Sequence, residues 1–156
     1  MDVTLINFEP TAIDLKSEVG EQIINTLKDY FNHVEEGNID AAFDITFSTE
    51  AANIRQRIFY ESYPNSMNGF EIHGINQINE NLFVTSGIIY RFDERREFNP
   101  FLVLTENNEW RIAFNSLVIP IQYTSNLVIG AELPEGNLGD GSGGDVYFFI
   151  VSCHIV

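Results

Sequence analysis

The sequence has few of the residues that build covalent or metal-bound sites. Its 156 residues include one cysteine and three histidines. The single Cys153 cannot form an internal disulfide, which fits a reducing compartment. One thiol and three widely separated imidazoles also lack the spacing of a zinc site. Because no glycine-rich nucleotide-binding motif is present either, we predict no metal and no cofactor.

Basic residues are also scarce. The chain has twenty-three acidic residues and eight basic ones, so the formal net charge is −15. Such a chain repels a phosphate backbone, which argues against nucleic-acid binding. The first 50 residues hold 11 acidic and 2 basic residues, a net charge of −9. This acidic segment is either a solvated face that maintains solubility or a docking surface for a basic protein partner, with Glu35, Glu36 and Asp40 as the candidate partner-binding residues.

Long apolar runs are missing as well. The longest, Val146 to Val156, is about half of the roughly 20 residues that a membrane-spanning helix needs. The amino terminus lacks the basic region and apolar stretch of a signal peptide. We therefore expect no membrane contact and a cytoplasmic protein. The hydrophobic fraction of 44% and thirteen phenylalanines still indicate a folded core, and the length suits one domain over residues 1–156.

Three helices are predicted in the first part of the chain. Apolar residues recur every three or four positions between Ser17 and Gly37, which predicts an amphipathic helix that Ser17 caps and Gly37 ends. Shorter helices are predicted at 39–47 and 50–60, the second with Ile54 and Ile58 on one face.

Four strands are predicted next, at 70–79, 81–93, 97–106 and 109–119. Short polar turns join them, so neighbouring strands should be antiparallel. Residues 101–104 are apolar on both faces, which indicates a sheet covered on both sides. The helices would cover one side, and the carboxy-terminal segment, a second copy of the chain or a ligand would cover the other. The apolar segment 146–156, which follows a glycine-rich loop at 136–145, should pair with a sheet edge or another chain.

Three stretches in this order carry a family resemblance over residues 18–119. They are the helix–turn–helix stretch 27–43, the tripeptide Asn99-Pro100-Phe101, and the turn-then-strand stretch Asn107-Asn108-Glu109-Trp110-Arg111-Ile112. Together they resemble the nuclear transport factor 2-like fold, shared with ketosteroid isomerases and SnoaL-like polyketide cyclases. The resemblance implies an α+β domain with three amino-terminal helices packed on a curved, mostly antiparallel sheet. It further implies a cone-like shape with an internal pocket, and often a homodimer. Residues 120–156 would add a carboxy-terminal strand extension.

The function stays open between different classes because this fold hosts enzymes, ligand carriers and protein-binding members. The first hypothesis is a non-catalytic acidic interaction module that binds a basic protein, as an immunity or inhibitor-type protein would. The alternative is a binding protein for a small apolar ligand, or a cofactor-free isomerase, cyclase or dehydratase that uses the pocket. For an enzyme, Asp44 and His73 are the candidate acid–base residues and Tyr90 is the candidate hydrogen-bond donor. A third hypothesis is a homodimer formed through residues 146–156.

Overall fold

The computed structural model describes residues 11–64 and 66–124 in full, and the backbone of residues 2–7, 127–129 and 148–154. The helices are α1 (Glu18–Glu35), α2 (Ile39–Asp44) and α3 (Glu50–Ser62). The strands are β1 (Asp2–Asn7), β2 (Thr11–Ile13), β3 (Thr46–Phe47), β4 (Met67–Gln77), β5 (Leu82–Arg91), β6 (Glu94–Phe98), β7 (Phe101–Leu104), β8 (Trp110–Ala113), β9 (Leu127–Ile129) and β10 (Phe148–His154). The predicted α+β class is confirmed.

The ends of α1 follow from its capping residues. The Ser17 hydroxyl accepts a hydrogen bond from the backbone N–H of Gly20 at 3.1 Å, which satisfies one free amide of the first turn. Beyond the other end, Gly37 has φ +80°, a conformation that glycine adopts without the cost of a Cβ. Both predicted boundary residues of this helix are confirmed.

One face of α1 packs on the sheet. Ile23, Leu27 and Tyr30, spaced by three and four residues, are fully buried. The indole N–H of Trp110 on β8 donates a hydrogen bond to the side-chain oxygen of Gln22 at 2.9 Å, which ties the helix to the sheet. The sheet therefore supports the side chains that α1 directs inward.

The main sheet has seven strands in a mixed arrangement. Its order is β2-β4-β5-β7-β8-β3, and β6 also pairs with β5. All pairings are antiparallel except that of β3 with β8. The pairing of β4 with β5 shifts register between Met67 and Gly69 and between Ile72 and Gly74. Such irregularities bend a strand and increase its twist, which gives the sheet its curvature.

The hairpin between β5 and β6 turns earlier than predicted. Its two turn residues are Phe92 and Asp93, with φ values of 51° and 64°, and Glu94 already pairs with Arg91. Positive φ at both positions matches the two-residue turn that fits strand twist. The predicted strand 97–106 is divided between β6 and β7, because Pro100 has no N–H to donate to a ladder.

The second face of the sheet is partly covered by the chain itself. The predicted strand 109–119 ends at Ala113, and residues 116–118 and 121–123 form two short 3-10 helices. Asn79 donates a side-chain hydrogen bond to the carbonyl of Tyr123 at 2.9 Å, which fastens this segment to the sheet. The resulting second core cluster comprises Ile78, Leu82, Val84, Phe101, Val103, Ala113, Ile119 and Tyr123.

The last strand belongs to a separate sheet of three strands, in the order β1-β10-β9. β10 pairs antiparallel with both β1 and β9. The sequence predicted a partner on the main sheet or on another chain, but the partners are these two strands of the same chain. The predicted glycine-rich loop 136–145 lies outside the described residues. Within the described part, no helix has both the length and the apolar character needed to cross a bilayer.

Candidate functional site

A cleft opens between helices α1 and α3 and the β5–β6 hairpin. Its volume is about 850 Å³. The residues that line this cleft are Phe31, Gln56, Tyr60, Met67, Ile89, Arg91, Arg95, Arg96, Glu97, Phe98 and Phe114. A volume in this range suits a small organic ligand.

A side compartment of about 380 Å³ adjoins the cleft. The two spaces share Phe31, Tyr60 and Met67 in their walls. The buried hydroxyl of Ser66 lines the side compartment and has no hydrogen-bond partner among the described residues. The two spaces together can therefore accommodate a ligand that places one group in the cleft and another in the side compartment.

Aromatic rings form the floor of the cleft. The ring centroids of Phe31 and Phe98 are 5.8 Å apart, and those of Phe98 and Phe114 are 6.4 Å apart. These separations fall within the range of tilted aromatic packing, which holds the rings in place. The floor is therefore a rigid apolar surface suited to a planar or hydrophobic ligand.

Two tyrosine hydroxyls meet at the wall of the cleft. The hydroxyl oxygens of Tyr30 on α1 and Tyr60 on α3 are 2.9 Å apart. Burial raises the pKa of the Tyr30 hydroxyl far above its ordinary value, and the neighbouring Tyr60 raises it further. Burial also raises the pKa of Tyr60, and this outweighs the lowering effects of the Tyr30 hydrogen bond and the Arg91 charge. Both phenols are therefore neutral hydrogen-bond donors at ordinary pH.

The orientation of this pair leaves one hydrogen available. Either hydroxyl can donate across this contact, and because Tyr30 is fully buried, its hydrogen has an acceptor when Tyr30 donates and Tyr60 accepts. Tyr60 lines the cleft, whereas Tyr30 lies fully buried behind it. The remaining hydroxyl hydrogen of Tyr60 can thus be donated to a molecule in the cleft.

Arg91 supplies a positive charge beside the phenols. Its Nε atom is buried and lacks a hydrogen-bond acceptor among the described residues. Its guanidinium carbon lies 4.5 Å from the centroid of the Phe59 ring, a cation–π contact that holds the side chain in position. Across the described ranges, no carboxylate forms an ion pair with Arg91, whereas Arg57, Arg96 and Arg111 each have one. The cleft therefore contains an uncompensated cation.

The structure places the three candidate catalytic residues outside the cleft and the side compartment. Asp44 is exposed at the end of α2. His73 is exposed on β4, with its Nε2 atom 3.1 Å from a carboxylate oxygen of Glu71. Tyr90 on β5 is half-buried, and strand alternation places it on the face opposite Arg91. The three residues are not brought together with the phenol pair.

The candidate partner-binding residues lie near the turn between α1 and α2. Glu35, Glu36 and Asp40 are all exposed. The carboxylate of Asp40 forms an ion pair and a hydrogen bond with Arg57 of α3. Two of the three carboxylates are thus without an ion pair among the described residues.

Sequence reasoning missed Tyr60 and Arg91. A usable signal existed for Arg91, since it follows Ile89 by two positions and so falls on the same, helix-facing side of β5. No such signal existed for Tyr60, because its hydroxyl meets that of Tyr30 only through the packing of α3 against α1.

No protein-family model matches the chain, and comparison with curated proteins found no match. The resemblance to the nuclear transport factor 2-like fold therefore stays a prediction that rests on its three sequence stretches. In the part of the chain that the structure describes, no three His, Cys, Asp or Glu side chains come together as metal ligands would. The site must accordingly be interpreted from its own geometry.

Proposed function

We propose that this chain is a small-molecule-binding protein and that its ligand occupies the cleft. The observation that carries the proposal is the convergence of a phenol donor, Tyr60, and an unpaired guanidinium, Arg91, on an aromatic floor. Binding sites for small molecules are concave, mostly apolar and supplied with a few polar groups that fix orientation. A cone-shaped domain of the nuclear transport factor 2-like kind would hold its ligand in the same place, between helices and sheet.

Binding is favoured over turnover by the chemistry of the lining residues. Proton transfer needs a group that can give up and take back a proton near neutral pH. The phenols of Tyr30 and Tyr60 are held neutral, so they can donate hydrogen bonds but do not act as bases. Of the residues that line the cleft and the side compartment, only Glu97 and Glu35 carry carboxylates, and both are exposed. An isomerase, cyclase or dehydratase that uses Asp44 and His73 stays a prediction.

The proposal predicts saturable binding of N-phenyl-1-naphthylamine, a neutral fluorophore whose emission rises in apolar surroundings. Wild-type protein should bind it at one site, because the aromatic floor offers a dry surface. The Gln56→Trp substitution fills the cleft from α3 and should weaken binding at least about tenfold, a loss of about 1.4 kcal/mol. A fluorescence titration measures both affinities.

The matched control is Ile54→Trp. Ile54 lies on the same helix but is 53% exposed and does not line the cleft, so the added ring should leave the affinity unchanged. The absence of saturable binding to folded wild-type protein would contradict the proposal. Equal affinities of the two tryptophan variants would contradict the assignment to this cleft.

Docking of a basic protein is the second candidate function, and the exposed carboxylates of Glu35 and Glu36 favour it. Native mass spectrometry of protein purified from its own host would detect such a partner. Joint charge reversal of Glu35, Glu36 and Asp40 should release it at low salt, and unchanged capture would contradict the docking hypothesis. Homodimerisation also stays a prediction.

A further inference from the structure

We infer that the ligand of the cleft carries a carboxylate, which Arg91 and Tyr60 bind, while its apolar body lies on the aromatic floor. This inference rests on the proposed function and specifies its ligand class.

The first argument concerns the buried Nε of Arg91. Buried polar atoms in folded proteins nearly always have hydrogen-bond partners, and one left without a partner raises the free energy of the folded state. Arg96 and Arg111, in contrast, have carboxylates of the chain within reach, at 2.7 Å and 2.8 Å. Arg91 lines the cleft, so a carboxylate that enters the cleft can pair with its guanidinium, as carboxylates of the chain do with Arg96 and Arg111.

The second argument concerns the combination of donors. Arg91 and Tyr60 line the same cleft, and the positive charge of Arg91 acts against the rise in the pKa of both phenols. A carboxylate is planar and has two oxygens with about four acceptor positions. One oxygen can accept from the planar guanidinium, and the other can accept from the Tyr60 hydroxyl.

The third argument concerns the amount of charge. Two guanidinium groups of the cleft, those of Arg91 and the exposed Arg95, have no ion pair among the described residues, whereas Arg96 is paired with Glu94. Glu97 also lines the cleft, and the whole chain carries a net charge of −15. A phosphate monoester would bring a charge near −2, which exceeds the net charge of +1 that the two positive groups of Arg91 and Arg95 and the negative group of Glu97 give the lining. A monoanion such as a carboxylate matches the site.

The inference is tested with 2-naphthylacetate and 2-naphthylacetamide, which share one ring system and differ in charge. Each competes with N-phenyl-1-naphthylamine for wild-type protein. The acetate should bind about tenfold to a hundredfold more tightly than the acetamide, the range expected for a charge-assisted hydrogen-bond pair. Arg91→Met should remove this preference and leave the acetamide affinity nearly unchanged. Tyr60→Phe should reduce the preference by about threefold to tenfold.

The matched control is Arg55→Met, which removes an equal charge from an exposed residue of α3 that lines neither the cleft nor the side compartment. It should keep the preference within about threefold, because an exposed charge is screened by solvent. If Arg91→Met does not fold, the inference is tested by Tyr60→Phe and by the ratio of the acetate affinity to the acetamide affinity in wild-type protein.

The outcomes separate the two proposals. Equal binding of acetate and acetamide, with displacement of the fluorophore, would overturn the carboxylate inference and leave the proposed function standing. A preference that Arg91→Met retains would overturn the assignment to Arg91. Failure of the fluorophore and both naphthyl compounds to bind would overturn the proposed function itself.

Discussion

Gly87→Ala is expected to destabilise the protein by about 3 kcal/mol, at the upper end of the usual range for overpacking. Gly87 lies on β5 between its partners β4 and β6. A Cβ at this position would come within 2.0 Å of the Glu71 carbonyl oxygen and 3.1 Å of the Ile72 Cα. Both neighbours are backbone atoms, so relief requires a shift of β4 rather than a change of rotamer. Urea unfolding of both proteins measures the difference.

Ser86→Ala is the matched control for this prediction. Ser86 precedes Gly87 on the same strand but is exposed, so its substitution should change stability by no more than about 0.5 kcal/mol. If Gly87→Ala were as stable as Ser86→Ala, the close approach of β4 and β5 described above would be contradicted.

Stability is also expected to fall steeply above pH 10. A tyrosine in the unfolded chain loses its proton near that pH, whereas burial raises the pKa of Tyr30 and Tyr60 in the folded protein. Above the unfolded pKa the unfolded state therefore binds fewer protons than the folded state, and the free energy of unfolding decreases as pH rises. Each phenol that stays neutral contributes a loss of about 1.4 kcal/mol per pH unit. Unfolding curves between pH 9 and about pH 11.5 measure this slope.

The Tyr30→Phe variant should show a shallower alkaline slope, by about 1.4 kcal/mol per pH unit, because one of the two buried phenols is gone. Tyr63→Phe is the control, since Tyr63 is 53% exposed. An alkaline slope that is identical in wild type and Tyr30→Phe would contradict the burial of this phenol.

Local sequence signals predicted the parts of the fold that depend on neighbouring residues. The ends of α1 follow from Ser17 and Gly37, whose preferences act within one turn. Alternation and turns predicted where the strands lie, but several of the predicted strand ends were wrong. The end of β8 at Ala113, for example, depends on the return of residues 116–123 onto the sheet. That return is a tertiary contact with no local signature.

The position of the cleft could not be predicted from local sequence patterns for the same reason. Its polar groups come from the middle of the chain, and they meet only after the sheet bends and α3 packs beside α1. Asp44 was favoured as a catalytic residue because apolar residues flank it, but it ends the short helix α2 and is exposed to solvent. Apolar neighbours in sequence do not imply a buried position, because successive helical residues point to different sides.

The most direct test of ligand binding in the cleft uses the methyl NMR signal of Met67. This residue lines both the cleft and the side compartment, and the chain has only two methionines, so the Met67→Leu variant assigns the signal. As 2-naphthylacetate is added to wild-type protein, the Met67 signal is predicted to shift saturably through the ring current of the bound naphthalene, and in Gln56→Trp the same shift should need at least about tenfold more compound. A Met67 signal that stays in place while the compound saturates the protein would contradict binding at this site.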